Sequence, residues 1–588
     1  MIRLGYNLIE WHMGVTIKKD IDGNSGLAKF LPPLLVAAAA FAVYAHTIGF
    51  GFVFDEQILI AENPAVVHPE KIFSILTEKF WPGPVRGIYY RPVTTLTYAL
   101  GHLAAGPKPW FQHLLNVVFH TIASVLVFYY ARGISKNGAV GFMAGVLFAV
   151  HPVHTESVAW VPGRTDVLAF ALLLSAKMSL WESRRSAGGR RAGWLAFSSF
   201  LFLASLGAKE IAIVFPVLVI AQDFVIEGRK SRGHIGEYAL MVAIAGLYMV
   251  WRTQVLGAEV GAPPAPDPLE GVPFLRWLVV GASIFGHALA KIIYPHPWLI
   301  DYAYEENILA MSTAALLLYS LALVGAAAVF IIFRKKMPVL SYCSLSFVIC
   351  VLPVSHLVPF PTLFAERFLY LPSLFVAIAI SELVFHTGEA WGKTGKKLVY
   401  IVAACLVLIL SVHTVARNMV FKSELTFWRE ATMQVPDKAV ARNWLGIAYR
   451  NRGMWHRAET QYREAIRLDP DFHVARMNLS EALMRTGREE KAEQVLRELT
   501  SLDPENPDYM ANLGVVMSMR GKWDEASTMW KKALDKDPTN FTANIMLAEY
   551  YLRIEHDREQ ALRYLASASR ARPGHPQVER LTKALQKR

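Results

Sequence analysis

The chain has 588 residues, 54% of them hydrophobic, a positive mean hydropathy and a formal net charge of +12. That length alone suggests several domains. Apolar residues concentrate before about residue 417; from Lys422 to Arg588 there are 28 Lys and Arg against 24 Asp and Glu, which leaves +8 for the apolar part. This excess lies in short loops, as membrane orientation rules place it, and so is not a nucleic-acid footprint. Cys343, Cys350 and Cys405 all fall in apolar segments and form neither a disulfide framework nor a zinc pattern.

Residues 1–29 are polar, with Lys18, Lys19 and Lys29, and read as a cytoplasmic N-terminal segment. The run 30–50 is long enough to span a bilayer, which takes roughly 20 residues. No polar mature sequence follows a small-residue cleavage site, so it reads as an uncleaved anchor and not a signal peptide. A long loop, 51–109, follows, headed by Phe54-Asp55-Glu56 with Asn63-Pro64 beyond. Two adjacent carboxylates where the chain leaves the bilayer do nothing for anchoring, which Lys, Arg, Trp and Tyr normally perform. They suit a general base, a metal ligand or a binder of sugar hydroxyls, with a solvated loop as the plain alternative. The same loop carries Tyr89-Tyr90-Arg91-Pro92, Pro and Gly around 82–87 that interrupt it, and apolar pieces at 72–76 and 95–100 too short to span.

In the segment 110–131, His113, Asn116 and His120 share a helix face, read as a packed, hydrogen-bonded face inside a bundle. Segment 138–150 runs into the densest cluster of functional side chains, His151-Pro-Val-His154-Thr-Glu156 through to Gly163-Arg164-Thr-Asp166. His151, His154 and Glu156 have the composition of a metal site, but Pro152 disrupts a helical i, i+3 face, so hydrogen bonds that orient the acid pair are the preferred role and metal dependence is left open. Further apolar segments, 167–182, 194–206, 211–226 and 237–256, are separated by a basic loop at 184–191, by Lys209-Glu210 and by a second basic loop at 229–232. Segment 277–294 contains His287 and Lys291. Spans 309–333 and 338–360 precede Ala365-Glu366-Arg367, which opens 368–386, and a loop with Lys393, Lys396 and Lys397 leads to the last span, 399–415.

The remainder is repetitive. Pro436, Pro470, Pro504, Pro538 and Pro573 lie 34, 34, 34 and 35 residues apart, with Leu445-Gly446, Leu479-Ser480, Leu513-Gly514 and Leu547-Ala548 in phase, and Ala458, Ala492, Ala526 and Ala561 likewise. This is the tetratricopeptide signature, in which small residues let paired helices approach and Pro ends the second helix. The reading is a half-repeat at 423–436, four repeats over 439–573 and a basic C-terminal tail at 574–588, joined to the last span without a flexible linker.

With residue 1 cytoplasmic, the basic loops at 184–191 and 229–232 fall inside, while the acid pair, the 151–166 cluster and Lys209-Glu210 fall outside. Charges near span ends are expensive unless paired or used, at about 2.5–3.5 kcal/mol each on insertion scales. Arg is suited to phosphate because its planar fork donates two parallel hydrogen bonds. Arg91, Arg164 and Arg367, with Lys209, therefore make an outward cavity with acids for a sugar and cations for a phosphate. Glu366-Arg367 join this cavity only if 277–294 dips in and returns on the outer side. That choice also makes Arg334-Lys335-Lys336 and the Lys393 cluster cytoplasmic, gives eleven crossings and puts the repeats outside.

At these motifs the chain resembles the transmembrane and tetratricopeptide-repeat O-mannosyltransferase family, one of the GT-C glycosyltransferases. The resemblance covers roughly 30–573 and rests on 151–166, Phe54-Asp55-Glu56, Tyr90-Arg91-Pro92, Lys209-Glu210 and Ala365-Glu366-Arg367-Phe-Leu-Tyr-Leu-Pro372. It implies an all-α fold, a polytopic GT-C-type bundle at 30–417 followed by a tetratricopeptide α-solenoid. It also implies a bacterial inner-membrane protein (endoplasmic reticulum in a eukaryote) that moves a sugar from a polyprenyl-phosphate donor to Ser or Thr of an extracytoplasmic acceptor protein bound on the repeats. Asp55 matches the first acid of the family's first-loop motif, the base or acceptor-orienting group; Glu56 stands where a second Asp is usual. The expected catalytic residues are Asp55 and Glu56, the phosphate-binding residues Arg91, Arg164, Lys209 and Arg367, and the supporting residues His151, His154, Glu156, Asp166, Glu210 and Glu366. Apart from a possible divalent metal, no cofactor is implied. A membrane scaffold would explain the repeats but leave the outward charges without a role, and a transporter would carry its charges near mid-span.

Overall fold

Long runs of Leu, Ala and Val without a polar period can satisfy their backbone in an apolar medium only as helices. The computed structural model describes residues 29–82, 89–228, 233–257, 268–297, 301–356 and 362–586, and among these there are helices and turns but no strand. Readings made for the N-terminal segment to residue 28, the Pro/Gly stretch at 83–88, the basic loop 229–232 and the end of span 338–360 lie wholly or in part outside the described residues. The chain divides into two units, Met1–Ser423 and Glu424–Arg588.

In the first unit the helices are α1 Leu31–Tyr44, α2 Pro92–Ala105, α3 Pro109–Ser135, α4 Gly138–Val150, α5 Arg164–Arg185, α6 Gly188–Ala208, α7 Phe215–Gln222, α8 Ile235–Leu256, α9 Phe274–Ile293, α10 Thr313–Phe333, α11 Pro338–Val351, α12 Tyr370–Ala390 and α13 Gly392–Asn418. Pro opens α2, α3 and α11, where its missing N–H is no loss. Among the described helices eight are long and apolar enough to cross a membrane, or nine if α4 and the bent turn Pro152–Ala159 count as one span. That is fewer than eleven because α5 carries Lys177, Glu182, Arg184 and Arg185, α7 is a short helix between irregular turns, and α11 gives way to a 3-10 turn at Leu352–Val354.

Hydrogen bonds between helices sort the bundle into two ends. At one end, called here the site end, Asn418 donates to Val43 O (3.0 Å), Thr414 to Val150 O (2.6 Å), Thr94 to Ala208 O (3.1 Å) and Tyr248 to Tyr90 O (3.0 Å). At the far end Arg184 bonds Asp223 and Glu237, Ser183 donates to Arg191 O, and Ser341 donates to Phe330 O. By these ties α6 and α8 run between the two ends, α1, α4 and α13 reach the site end, and α5, α10 and α11 reach the far end.

Helix α9 is tied differently. Its first turn lies by the start of α10, where Arg276 donates to the carbonyls of Leu309 and Met311 (2.8 and 3.1 Å). At its last turn Ile292 O bonds His151 (2.8 Å). Both contacts are at the site end. The segment does not turn back on itself as a dip would: it is one unbroken helix of 20 residues, because no Pro or capping signal interrupts 274–293.

The second unit is a stack of helix pairs, α14 Glu424–Gln434, α15 Ala439–Arg450, α16 Trp455–Leu468, α17 His473–Arg485, α18 Glu489–Leu502, α19 Pro507–Met519, α20 Trp523–Lys536, α21 Phe541–Arg553, α22 Arg558–Ala571 and α23 Pro576–Gln586. Ala458, Ala492, Ala526 and Ala561 are fully buried. A Cβ on Gly446 would stand 2.4 Å from the Tyr462 ring and one on Gly514 2.4 Å from Trp530, so α15 and α19 approach their partners only because these residues are glycine. The turns repeat as well: Asp469, Asp503 and Asp537 each cap the N–H two residues on. Residues 576–586, read as part of a basic tail, instead form α23, whose Val578, Leu581 and Leu585 are buried. Their i, i+3, i+7 spacing is the pattern of a buried helix face.

Consecutive repeats are also tied by charge. Glu459 pairs with Arg488 and Arg463, and one period on Glu493 pairs with Lys522 (3.1 Å), Arg497 (2.6 Å) and Arg520. Burial alone would raise the Glu493 carboxyl; Lys522, Arg520 and Arg497 overcome that and hold it below its usual range. A carboxyl lowered by folding contributes stability that is present above its unfolded value, about 4.3, and lost as pH falls through the folded value. Urea unfolding of a fragment spanning 424–588 should therefore be level above about pH 5 and weaken below about pH 4, and Glu493→Ala should cost roughly 1–3 kcal/mol. Equal stability of parent and variant at pH 7 would remove the pair from the account.

Candidate active site

The first loop reaches the bundle through Glu56. Phe54 has a left-handed backbone, φ 55°, a conformation that costs a non-glycine residue about 1–2 kcal/mol. The turn it makes sends the two neighbouring carboxylates different ways. Glu56 is fully buried and accepts from the backbone N–H of Val53 and of Val161, both at 2.6 Å. Burial pushes its carboxyl up to about 8 and Asp55 adds to that, against the pull of the two N–H donors and Arg164. Asp55 is half-buried and close enough to act electrostatically on Glu56 and on Tyr98.

Arg164 is completely buried and spends its fork on the protein: Nε on Asn116 Oδ1 (2.6 Å), Nη1 on Thr97 Oγ1 (3.2 Å) and Nη2 on Gln112 O (2.6 Å), with Tyr98 stacked at 4.8 Å. Asn116 in turn donates to the carbonyls of Val158, Trp160 and Val161. The expectation that Arg164 grips a phosphate is corrected accordingly: with three donors committed and no exposure, it braces α3 against the loop before α5. A Cβ on Gly163 would meet Glu156 O at 2.5 Å, so the same loop closes on itself only with glycine there.

The other three cations converge. Lys209 bonds both oxygens of Asp166 (2.6 and 2.7 Å), Arg91 holds Glu210 through Nε and Nη2 (3.2 and 3.1 Å), and Arg367 pairs with Glu156, which also accepts from the Arg367 N–H (2.9 Å). Lys209 is held below its usual value by burial, and by Arg91 and Arg367 as neighbouring charges, against the pull of Asp166. Arg91 lies over Tyr89 (4.5 Å) and Phe80 (5.3 Å), Arg367 over Phe368 (5.2 Å) and Trp160 (5.8 Å). The Arg91 and Arg367 side chains keep 11% and 18% of their surface open, whereas Arg164 keeps none.

The histidines are structural ties. His151 bonds Ile292 O, His154 bonds Phe148 O and Ser373 (2.9 and 2.8 Å), and His120 bonds Tyr370 and Ala149 O (2.7 and 3.0 Å). They do not converge on Glu156, and among the described residues no three His, Cys, Asp or Glu side chains group as a metal site. Glu366 is buried against Arg417, which also reaches Pro152 O.

Tetratricopeptide-repeat family models match residues 436–507 and 518–585. Over 453 residues the chain is 28% identical to a protein O-mannosyl-transferase of Caenorhabditis elegans, covering 73% of this chain and 61% of that one. Over 489 residues it is 26% identical to protein O-mannosyl-transferase TMTC3 of Mus musculus, covering 74% and 51%. The chain is a homologue of the protein O-mannosyl-transferases. A shorter stretch of 199 residues is 36% identical to protein O-mannosyl-transferase Tmtc1 of Drosophila melanogaster, covering 33% of this chain and 22% of that one. The chain thus spans 22% to 61% of the length of these three relatives. Its described residues hold eight helices long and apolar enough to cross a membrane, followed by C-terminal repeats, so it is a multi-pass membrane protein.

Sequence reasoning missed Arg417, at the end of the last helix of the first unit, and Thr97 as a partner of Arg164, and it read Asn116 as hydrogen-bonded without naming Arg164 as the partner. The one available signal was that Arg417 ends an apolar run beside the repeat boundary, where a buried partner is needed. Arg164→Lys cannot replace three fixed bonds, so it should lower thermal stability in detergent and expose the 151–166 loop to protease. Unchanged melting and proteolysis would return Arg164 to the list of ligand-binding residues.

Proposed function

We propose that this chain transfers a sugar from a polyprenyl-phosphate carrier to Ser or Thr hydroxyls of proteins at the site end of its bundle. The observation that carries the reading is the convergence of Arg91, Lys209 and Arg367 beside the Asp55 loop. Asp55, half-buried and held on a strained turn, takes the proton of the acceptor hydroxyl as its oxygen attacks the anomeric carbon. The carbon–oxygen bond to phosphate breaks on the opposite face, with inversion, and the polyprenyl phosphate leaves with the charge. Arg367 and Arg91 contact that phosphate, and Lys209, held by Asp166, adds its charge from behind. Glu56 and Arg164 fix the loop that carries Asp55. The relatives' names favour mannose as the sugar, and the repeats supply an acceptor-binding surface.

The site end is assigned to the extracytoplasmic side, because Arg132, Lys136, Arg184, Arg185, Arg190, Arg191, Arg334, Lys335, Lys336, Lys393, Lys396 and Lys397 all belong to the far end, as the positive-inside bias asks. The eleven crossings expected from the sequence would then leave the repeats on the same side as Asp55.

Asp55→Asn keeps the shape and removes the base, so transfer from a labelled polyprenyl-phosphate sugar should fall at least about 100-fold with the melting temperature unchanged. Near-parental transfer by the folded variant would sink the assignment. Arg367→Lys offers a point charge in place of a fork and should weaken binding of a polyprenyl-phosphate analogue without unfolding; equal affinity would make Arg367 structural. In a background lacking Cys343, Cys350 and Cys405, Glu270→Cys and His296→Cys flank α9. Both should react with an impermeant thiol reagent on intact cells, and protection of one of them would make α9 a crossing.

A further inference from the structure

Arg91 is held by its side chain and by its backbone, and the two holds come from different elements. Its Nε and Nη2 both rest on one oxygen of Glu210, Oε2. Its backbone is fixed through Tyr90. The Tyr90 carbonyl accepts from the Tyr248 hydroxyl (3.0 Å), and the Tyr90 hydroxyl accepts from Trp251 Nε1 (2.9 Å) while donating to Leu76 O (2.7 Å). Tyr90 and Tyr248 are both buried, and their rings stack at 6.2 Å. Tyr248 and Trp251 stand three residues apart on α8 and so share one of its faces. α8 is anchored again at the far end, where Glu237 bonds Arg184 at 2.8 Å.

The double hold matters when a ligand arrives. Under the proposed function a donor phosphate contacts Arg91 and competes with Glu210 for its guanidinium. Two donors on a single carboxylate oxygen are the contact a phosphate replaces, because its oxygens match the planar fork in pairs. Once Glu210 gives way, the guanidinium keeps its stacking on Tyr89 and Phe80 (4.5 and 5.3 Å) and the backbone that carries it. Small displacements of a positioned group are costly, so the brace on that backbone then decides where the fork points. We propose that Tyr248, with Trp251, is a positioning residue for the donor phosphate: through Tyr90 it holds the Arg91 backbone where the fork meets the ligand. The proposal rests on the proposed function, and within it on Arg91 as a phosphate contact. It gives α8, which supplies none of the three converging cations, a part in donor binding.

The test is binding of a polyprenyl-phosphate analogue to the full chain in nanodiscs, measured for the parent, Arg91→Lys, Tyr248→Phe and the double variant. Tyr248→Phe keeps the ring and its stacking and removes only the bond to Tyr90 O. It should weaken binding roughly 3- to 10-fold, the range of one net hydrogen bond. The double variant should bind about as well as Arg91→Lys alone, because the point charge of Lys has no fork to aim. A residue that only packs the bundle would lower affinity by the same factor whichever residue stands at position 91. Losses that multiply in the double variant, or parental binding by Tyr248→Phe where Arg91→Lys is impaired, would therefore overturn the positioning role and leave the proposed function standing. Parental binding by Arg91→Lys would overturn Arg91 as a phosphate contact and this inference with it. If Tyr248→Phe does not fold, Trp251→Phe, which removes the bond to the Tyr90 hydroxyl, takes its place in the same cycle.

Discussion

The Glu56 carboxyl, bonded at once to Val53 N–H and Val161 N–H, joins the first loop to the segment that precedes α5. These are the two stretches richest in chemistry, and they are 105 residues apart. With its carboxyl pushed up to about 8 by burial, Glu56 is mostly neutral at pH 7, so each bond contributes about 0.5–1.5 kcal/mol net, and a dry surrounding makes loss of either larger. Arg164 braces the same junction from the other side, through Asn116, Thr97 and Gln112. Asp55 has a defined position because its neighbour does not move. The left-handed turn at Phe54 is affordable for the same reason, since strained backbone persists only where the surroundings over-determine it.

Arg91, Lys209 and Arg367 are arranged differently. Each is closed by a carboxylate of its own chain, and two of those pairs are partly open to solvent. A ligand phosphate must therefore compete with Glu210 and Glu156, or be added beside them. Under the proposed function both outcomes suit turnover better than a bare cation cluster would, because a site that held its leaving phosphate too tightly would not release it. Lys209 differs again, because Asp166 holds it from both oxygens with little exposure, so its charge acts at a distance and its contacts stay fixed.

The repeats were legible because their period states itself several times over: Ala458, Ala492, Ala526 and Ala561 must match in phase, and each is buried without remainder. Convergence of Arg91, Lys209 and Arg367 was legible from their places at span ends. What could not be read was which charges are spent. Glu56 and Arg164 look like Asp55 and Arg367 in the sequence; the difference lies in partners 48 to 105 residues away, and single-sequence patterns carry no such pairing. Arg417 was missed for the same reason, since its partner Glu366 lies across another helix. α23 was lost to composition: its Lys and Arg residues drew attention from Val578, Leu581 and Leu585.

Helix α9 shows how far an argument from charge can go without geometry. Parity and the positive-inside bias required that residues 257–366 cross an even number of times, and they were satisfied by a dip. The helix is instead continuous, about 30 Å at 1.5 Å per residue, with Arg276 and Ile292 both tied at the site end. Charge bias constrains where loops end up and is indifferent to what an apolar segment does between them. A helix lying across the site end leaves the same loops on the same sides as a dip does. It also exposes Phe274, Leu275 and Leu278 along one flank, and buries Ile284, Ala288 and Ile292 against Phe364 and Phe368. The apolar length of α9 thus fits a helix that covers the loop bearing Arg367, and hydropathy alone cannot separate that role from a crossing.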